Sequence, residues 1–135
     1  MKVQKTQELA LASQDDVVMV RQAVRMAAVE IGLSLVDQTK IVTAASELAR
    51  NTVVHGGGGF ARIEIIRDTA RTGMRLTFED RGPGIADLER AMKDGYSSAG
   101  GLGLGLGGAK RLSNEFAIES QPGEGTRVTI TRWKG

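Results

Sequence analysis

The sequence predicts an α+β domain, a two-layer sandwich in which helices cover one face of a mixed, mostly antiparallel sheet. Three observations carry this expectation. Residues 15–31 and 36–55 repeat apolar side chains at helical spacing. Residues 61–80 and 116–133 each hold two strand-like runs joined by turn residues. Nowhere do strands and helices alternate as βαβ units, so a parallel doubly wound sheet is not expected.

Taken in order, residues 3–12 (VQKTQELALA) are mixed in character and suit an edge strand. Asp15 or Asp16 then caps a helix whose apolar face is Val17, Val20, Val24, Ala27, Ala28 and Ile31, with Gly32 as its stop. A second helix starts near Val36 or Asp37 and runs through Ile41, Ala44, Ala45 and Leu48 to His55, where Gly56 to Gly59 end it. ARIEIIRD (61–68) and MRLTFED (74–80), joined by TARTG, read as a hairpin. A short helix is expected around Asp87 to Lys93, another from Leu106 to Asn114, and FAIESQ, PGEG and TRVTITRW complete a second hairpin.

The totals exclude several function classes. At 135 residues, with 41% hydrophobic and 25% charged side chains, the chain reads as one soluble globular domain. It has no cysteine, hence no disulfide scaffold or thiolate metal site, which fits a reducing compartment. The opening MKVQKTQELALAS does not read as a signal peptide, and no run approaches the roughly 18 apolar residues of a membrane helix. A cytoplasmic location without membrane contact is the expectation. Eighteen basic against 16 acidic residues, interspersed to a net +2, and no aromatic platform beside Arg127, Arg132 and Lys134 argue against nucleic acid.

Three clusters carry candidate chemistry. On the second helix, Glu47, Asn51 and His55 recur every four residues and share one stripe. Glu47 can accept a proton from an attacking hydroxyl or water, and Asn51 offers a neutral oxygen to a hard cation such as Mg²⁺. A solvated polar face involving Arg50 gives the same pattern. In FEDRGPGI (78–85), the alternation of Met74, Leu76 and Phe78 sends Asp80 to the apolar face, where a carboxylate requires a donor. An exocyclic purine amine would serve, with Gly82 and Gly84 letting the base lie against the main chain. A turn capped by Asp80, or its pairing with Arg81, is the structural alternative.

The third cluster is GGLGLGLGGAK, where Gly100 to Gly108 hold six glycines in nine residues. Leu102, Leu104 and Leu106 can anchor the loop while the N–H groups of Gly101, Gly103 and Gly105 turn toward an anion, helped by the following helix start and by Lys110 and Arg111. A plain flexible lid is the other reading. Two commoner motifs are excluded. The chain has no Gly-Lys dipeptide and so no P-loop, and the G-x-G-x-x-G of Gly103, Gly105 and Gly108 follows AMKDGYSSA rather than a strand. The His-Arg-Asp and Asp-Phe-Gly signatures of eukaryotic protein kinases are missing as well.

The order of these clusters resembles the GHKL, or Bergerat, ATP-binding fold of gyrase B, heat-shock protein 90, histidine kinases and MutL over residues 36 to 130. ELARN (47–51) is similar to its N box, DRGPG (80–84) to its first glycine box, GLGLG (101–105) to its second, and GEGT (123–126) to its late Thr segment. The runs DQTKIVTAASELARN and EDRGPGIADLERAMKDGYSSAGGLGLGLGGAKRL further resemble the small bacterial serine/threonine kinases of the RsbT, or stressosome, type, related to anti-sigma-factor kinases.

That resemblance implies ATP, Mg²⁺ and a STAS-domain protein substrate, with partner switching onto a phosphatase or other output protein. It implies Glu47 as the residue that orients or deprotonates the attacking hydroxyl, Asn51 as Mg²⁺ ligand and Asp80 as adenine-binding carboxylate. It places Gly82 and Gly84 under the base, Gly101, Gly103 and Gly105 at the phosphates, and Thr126 at the nucleotide. Lys110 joins them on charge grounds, and His55 receives no role. Only the sixteen residues 85–100 separate the two glycine boxes, which is short for the superfamily. A nucleotide-gated binding module with little turnover, or a bare ATPase, would use the same pocket.

Overall fold

The computed structural model describes residues 1–92 and 105–134. Its elements run β1 (Lys2–Leu11), α1 (Gln14–Glu30), α2 (Leu35–Val54), β2 (Gly59–Arg67), β3 (Thr72–Asp80), α3 (Leu88–Ala91), α4 (Gly105–Arg111), β4 (Glu115–Gln121) and β5 (Gly125–Trp133). This is the element order read from the sequence. The five strands lie in the order β1-β2-β3-β5-β4. All four pairings are antiparallel, so the sheet of the described residues has no parallel component, and β1 is an edge strand as expected.

Local chemistry explains the helix boundaries. Ser13, not Asp15 or Asp16, caps α1. Its Oγ accepts the Asp16 N–H at 3.4 Å while Asp16 Oδ2 accepts the Ser13 N–H at 3.2 Å, a reciprocal capping box. Asp15 instead sits in the first turn, where a negative charge meets the positive helix end. Ser34 caps α2 by accepting the Asp37 N–H at 3.1 Å, so that helix starts at Leu35. Helix α4 holds three glycines in seven residues. At about 1 kcal/mol each relative to alanine, that is roughly 3 kcal/mol against helix formation. Its stability therefore comes from tertiary packing, through buried Leu106 and Ala109 and contact with α2.

One face of the sheet carries the core. Leu11, Ala61, Ile63, Ile65, Met74, Leu76, Phe78, Val128 and Ile130 alternate onto it and meet Val20, Val24, Ala28, Ile41, Ala45 and Leu48 of α1 and α2. Full burial of each large aliphatic side chain contributes about 1.5–3 kcal/mol. The other face is covered by ion pairs. Arg62 meets Glu8 across β1 and β2, Arg75 meets Glu64 at 2.8 Å, and Arg127 meets Glu79 at 2.7 Å. The Glu64 hydrogen bond raises the Arg75 guanidinium above its usual value. At the sheet's end Trp133 lies over Gly73, where a Cβ would stand 2.7 Å from the ring. Ile66 is the next residue across in register and is fully buried.

Candidate functional site

A cavity of about 460 Å³ opens between the C-terminal half of α2, the tip of β3, residues 83–87, the start of α4 and the start of β5. Leu48, Phe78, Ile85, Ala91, Leu106 and Val128 make its walls apolar, and Asn51, Thr52, His55, Asp80, Asp87 and Thr126 supply polar groups. That size and mixture suit a single small ligand held by a few convergent polar atoms.

Asp80 is brought here by register. It ends β3 on the same face as Met74, Leu76 and Phe78, between Gly59 of β2 and Thr126 of β5. Its Oδ1 accepts the Gly82 N–H at 2.9 Å. The turn and the inward carboxylate are thus not alternatives, since one side chain provides both, and among the described residues Asp80 forms no ion pair with Arg81. The surrounding backbone approaches so closely that only glycine fits. A Cβ on Gly56 would overlap the Asp80 carboxyl, and one on Gly82 would stand 2.6 Å from the Gly56 carbonyl. Gly125 packs in the same way on the Asp80 carbonyl, with φ of +89°. Gly84, with φ of +75°, packs on the Gln121 carbonyl, and the Gly123 N–H donates to Pro83 at 2.7 Å. The loop after β3 is thereby held against the β4–β5 turn.

Helix α2 presents Leu48, Asn51, Thr52 and His55 to the cavity. Thr52 already donates its hydroxyl to the Leu48 carbonyl at 2.9 Å, which leaves the half-buried Asn51 carboxamide and the exposed His55 as the polar groups of this stretch along the cavity. Glu47 shares the stripe but is only 4% exposed, and it is not among the described residues that line the cavity. Gly105, with φ of +58°, is buried at the first position of α4, and Leu106 beside it lines the cavity. Lys110 is exposed near the other end of α4 and does not reach the lining. Gly101 and Gly103 lie outside the described residues.

Thr126 lines the cavity, and the sequence gives no sign of its partner Ser120. The Ser120 hydroxyl accepts the Ile85 N–H at 2.8 Å, lies 3.1 Å from the Gly125 carbonyl and shares a 2.9 Å hydrogen bond with Thr126 Oγ1. It ties the loop after Asp80 to the strand carrying Thr126. Gly56 was likewise legible only as a helix stop, and nothing local marks the role of either residue, because Asp80 for Gly56 and Ile85 for Ser120 lie far away in the chain. Among the described residues no group of three or more His, Cys, Asp and Glu side chains could hold a metal. A cation held here would have Asn51 as its protein ligand and take its remaining oxygens from water and substrate, which is the habit of Mg²⁺.

Comparison with known proteins agrees with this geometry. The model of the family described as "Histidine kinase-, DNA gyrase B-, and HSP90-like ATPase" matches residues 36–134. The chain is 47% identical over 118 residues to "Serine/threonine-protein kinase RsbT" of Bacillus subtilis (strain 168), covering 87% of this chain and 89% of that one. It is 30% identical over 120 residues to "Anti-sigma F factor" of Thermoanaerobacter sp. (strain X514), covering 85% and 83%. Among solved structures, the RsbU and RsbW domains of Rv1364c from Mycobacterium tuberculosis superimpose with a TM-score of 0.66 at 25% identity, over 95% of this chain and 32% of that one. The SiaB–SiaC complex from Pseudomonas aeruginosa, with a TM-score of 0.52 at 14% identity over 97% and 90%, shares the fold. No helix of the described residues is long and apolar enough to cross a membrane.

Proposed function

The chain belongs to the histidine kinase-, DNA gyrase B- and HSP90-like ATPase family, in its serine/threonine-kinase branch, and from that premise we propose that it moves the γ-phosphoryl group of ATP onto a Ser or Thr of a STAS-domain partner. In this reading it is a cytoplasmic partner switch, whose phosphorylated partner releases it to engage a phosphatase or other output protein. The observation that carries the proposal is the seat of Asp80: a carboxylate at a strand tip, flanked by Gly56 and by the Gly82 N–H, facing a mainly apolar cavity of nucleoside size.

Each residue has a task. Asp80 accepts a hydrogen bond from the adenine amine, and Gly82 and Gly84, packed on the Gly56 and Gln121 carbonyls, hold the main chain on which the base would lie. Thr126 offers its hydroxyl beside Asp80. From this end the helix runs back through Asn51 to Glu47, four residues or about 6 Å further along the axis. The phosphates accordingly run along α2 toward Asn51, with the glycine box GLGLG (101–105) assigned to them by its likeness to the family motif, while Lys110, outside the cavity lining, takes no part. Mg²⁺, held through the Asn51 carboxamide oxygen, would neutralise phosphate charge. Glu47 accepts the proton of the acceptor hydroxyl as its oxygen bonds to the γ-phosphorus and the bond from that phosphorus to the β,γ-bridging oxygen breaks, with ADP leaving. Positioning and charge neutralisation are the main demands of phosphoryl transfer, and these residues supply both.

Incubation with γ-labelled ATP, Mg²⁺ and STAS proteins encoded nearby is expected to label the acceptor. Glu47→Ala should abolish labelling while ATP still binds, and Asp80→Asn should remove ATP binding. Undiminished transfer by Glu47→Ala would falsify the assignment of the base. The likeness to an anti-sigma F factor supports a second reading, in which ATP occupancy gates partner binding and turnover is incidental. ATP-dependent complex formation without labelled acceptor would select it, and free phosphate without either would indicate a bare ATPase.

A further inference from the structure

Lys40 and Lys110 have no place in the cavity beside Asp80, and among the described residues neither forms an ion pair. Lys40 lines a second depression, a groove of about 320 Å³ between the first half of α2 and the end of α4, together with Thr39, Thr43, Arg111 and Leu112. Its wall is mostly apolar, built from threonine methyls, the aliphatic stems of Lys40 and Arg111, and Leu112. The Thr39 hydroxyl donates to the Leu35 carbonyl at 3.0 Å. Leu35 and Val36, 72% and 63% exposed, lie one turn before Thr39 and Lys40 in the same helical rows and extend the apolar strip.

The charge around this groove is one-sided. Helix α2 has two carboxylates: Asp37 accepts a hydrogen bond from Arg132 Nη2 at 2.6 Å, and Glu47 is only 4% exposed. Lys40, with Arg111 and the exposed Lys110 that precedes it, makes the rim cationic. An apolar floor with a polar rim is the anatomy of a protein–protein contact. The sign of the rim calls for carboxylates on the partner.

The place of the groove on α2 identifies the partner. Thr43 lies four residues before Glu47 and Lys40 seven, so both share its side of the helix, about 6 and 10 Å along the axis. Leu48 and Asn51, just after Glu47, line the nucleotide cavity, whereas Thr43, just before it, lines the groove. Glu47 thus stands between the two depressions. A protein seated in the groove brings a hydroxyl to Glu47 from the side opposite the base.

We propose that the groove is where the phosphoacceptor protein docks, through an apolar side chain flanked by Asp or Glu. An extended chain advances about 3.3 Å per residue, so this apolar residue stands two or three positions from the Ser or Thr that is phosphorylated. The inference rests on the kinase reading above and adds the surface that selects the protein substrate.

Initial rates of transfer to the STAS protein that the labelling experiment identifies test it, with calorimetry of ATP binding alongside. The full chain is compared with Lys40→Glu and with Leu35→Ser/Val36→Ser, whose changes lie on the exposed surface and keep the test open should Lys40→Glu fail to fold. In each variant KM for the acceptor is expected to rise about tenfold, with kcat and ATP affinity within twofold of the original. Added salt should raise the acceptor KM of the original chain more than that of Lys40→Glu. An acceptor KM unchanged in both variants, or an equal loss of ATP affinity, would overturn the proposal. A chain that binds ATP but labels no STAS protein refutes the kinase reading and this surface together. A chain that labels its acceptor regardless of Lys40, Leu35 and Val36 refutes the surface alone.

Discussion

Gly56 lies directly against the carboxylate of Asp80, at a spacing that leaves no room for a β-carbon. The two residues come from the end of α2 and the end of β3, and their contact closes one corner of the cavity. The glycine is demanded by this approach and not by its own backbone, since its φ is not positive.

Gly56→Ala should therefore push the Asp80 side chain from its seat and weaken ATP binding by about 10- to 100-fold, the worth of a hydrogen bond to a charged group. Gly57→Ala is the control. Gly57 has φ of +73° and open space around it, so the change costs about 1–2 kcal/mol of backbone strain and leaves nucleotide affinity alone. Calorimetry with ATP, alongside urea unfolding, separates the two; similar affinities in both variants would dismiss the Gly56–Asp80 relationship.

Ser120→Ala removes the acceptor of the Ile85 N–H and one partner of Thr126. A part-buried donor left unsatisfied costs about 1–3 kcal/mol. The urea midpoint should fall accordingly. Protection of the Ile85 amide from hydrogen exchange should fall more than that of the β2 and β3 amides.

Asp68 gives a pH dependence whose sign can be worked out. The Arg71 side-chain hydrogen bond, chiefly, holds its carboxyl below the ordinary value. The stabilisation is complete above the usual aspartate value of about 4 and is lost as pH falls through the lower folded value. Arg71 also stacks on Trp133, with 3.9 Å to the ring centroid, and Trp133 is the only tryptophan. Its fluorescence should change as pH falls below 4, and Asp68→Asn should show no such step.

Ser13→Ala should cost about 1 kcal/mol through the lost cap of α1. Ser13→Asp should restore most of it in thermal unfolding, because the Asp16 N–H again finds an acceptor. Had Asp15 or Asp16 been the cap, Ser13→Ala would be silent.

Whatever depends on near neighbours could be read along the chain. The periods of the apolar residues determined the element order, the buried face of each helix and the inward side of Asp80. The spacing of Glu47, Asn51, Asp80 and the glycine boxes pointed to the family. The cap of α1 was missed by two or three residues, because Ser13, Asp15 and Asp16 are all competent to cap and the reciprocal bond between Ser13 and Asp16 decided among them.

Tertiary structure alone decided which distant residues meet. It placed Gly56 against Asp80, Ser120 between Ile85 and Thr126, and Arg132 between Asp37 and Leu112. It also left Lys110 outside the cavity that its charge had suggested it would serve. The physical reason is range. A hydrophobic period or a cap is settled within a few residues, whereas steric contact and hydrogen bonding between residues far apart in the chain exist only once the sheet has closed its register.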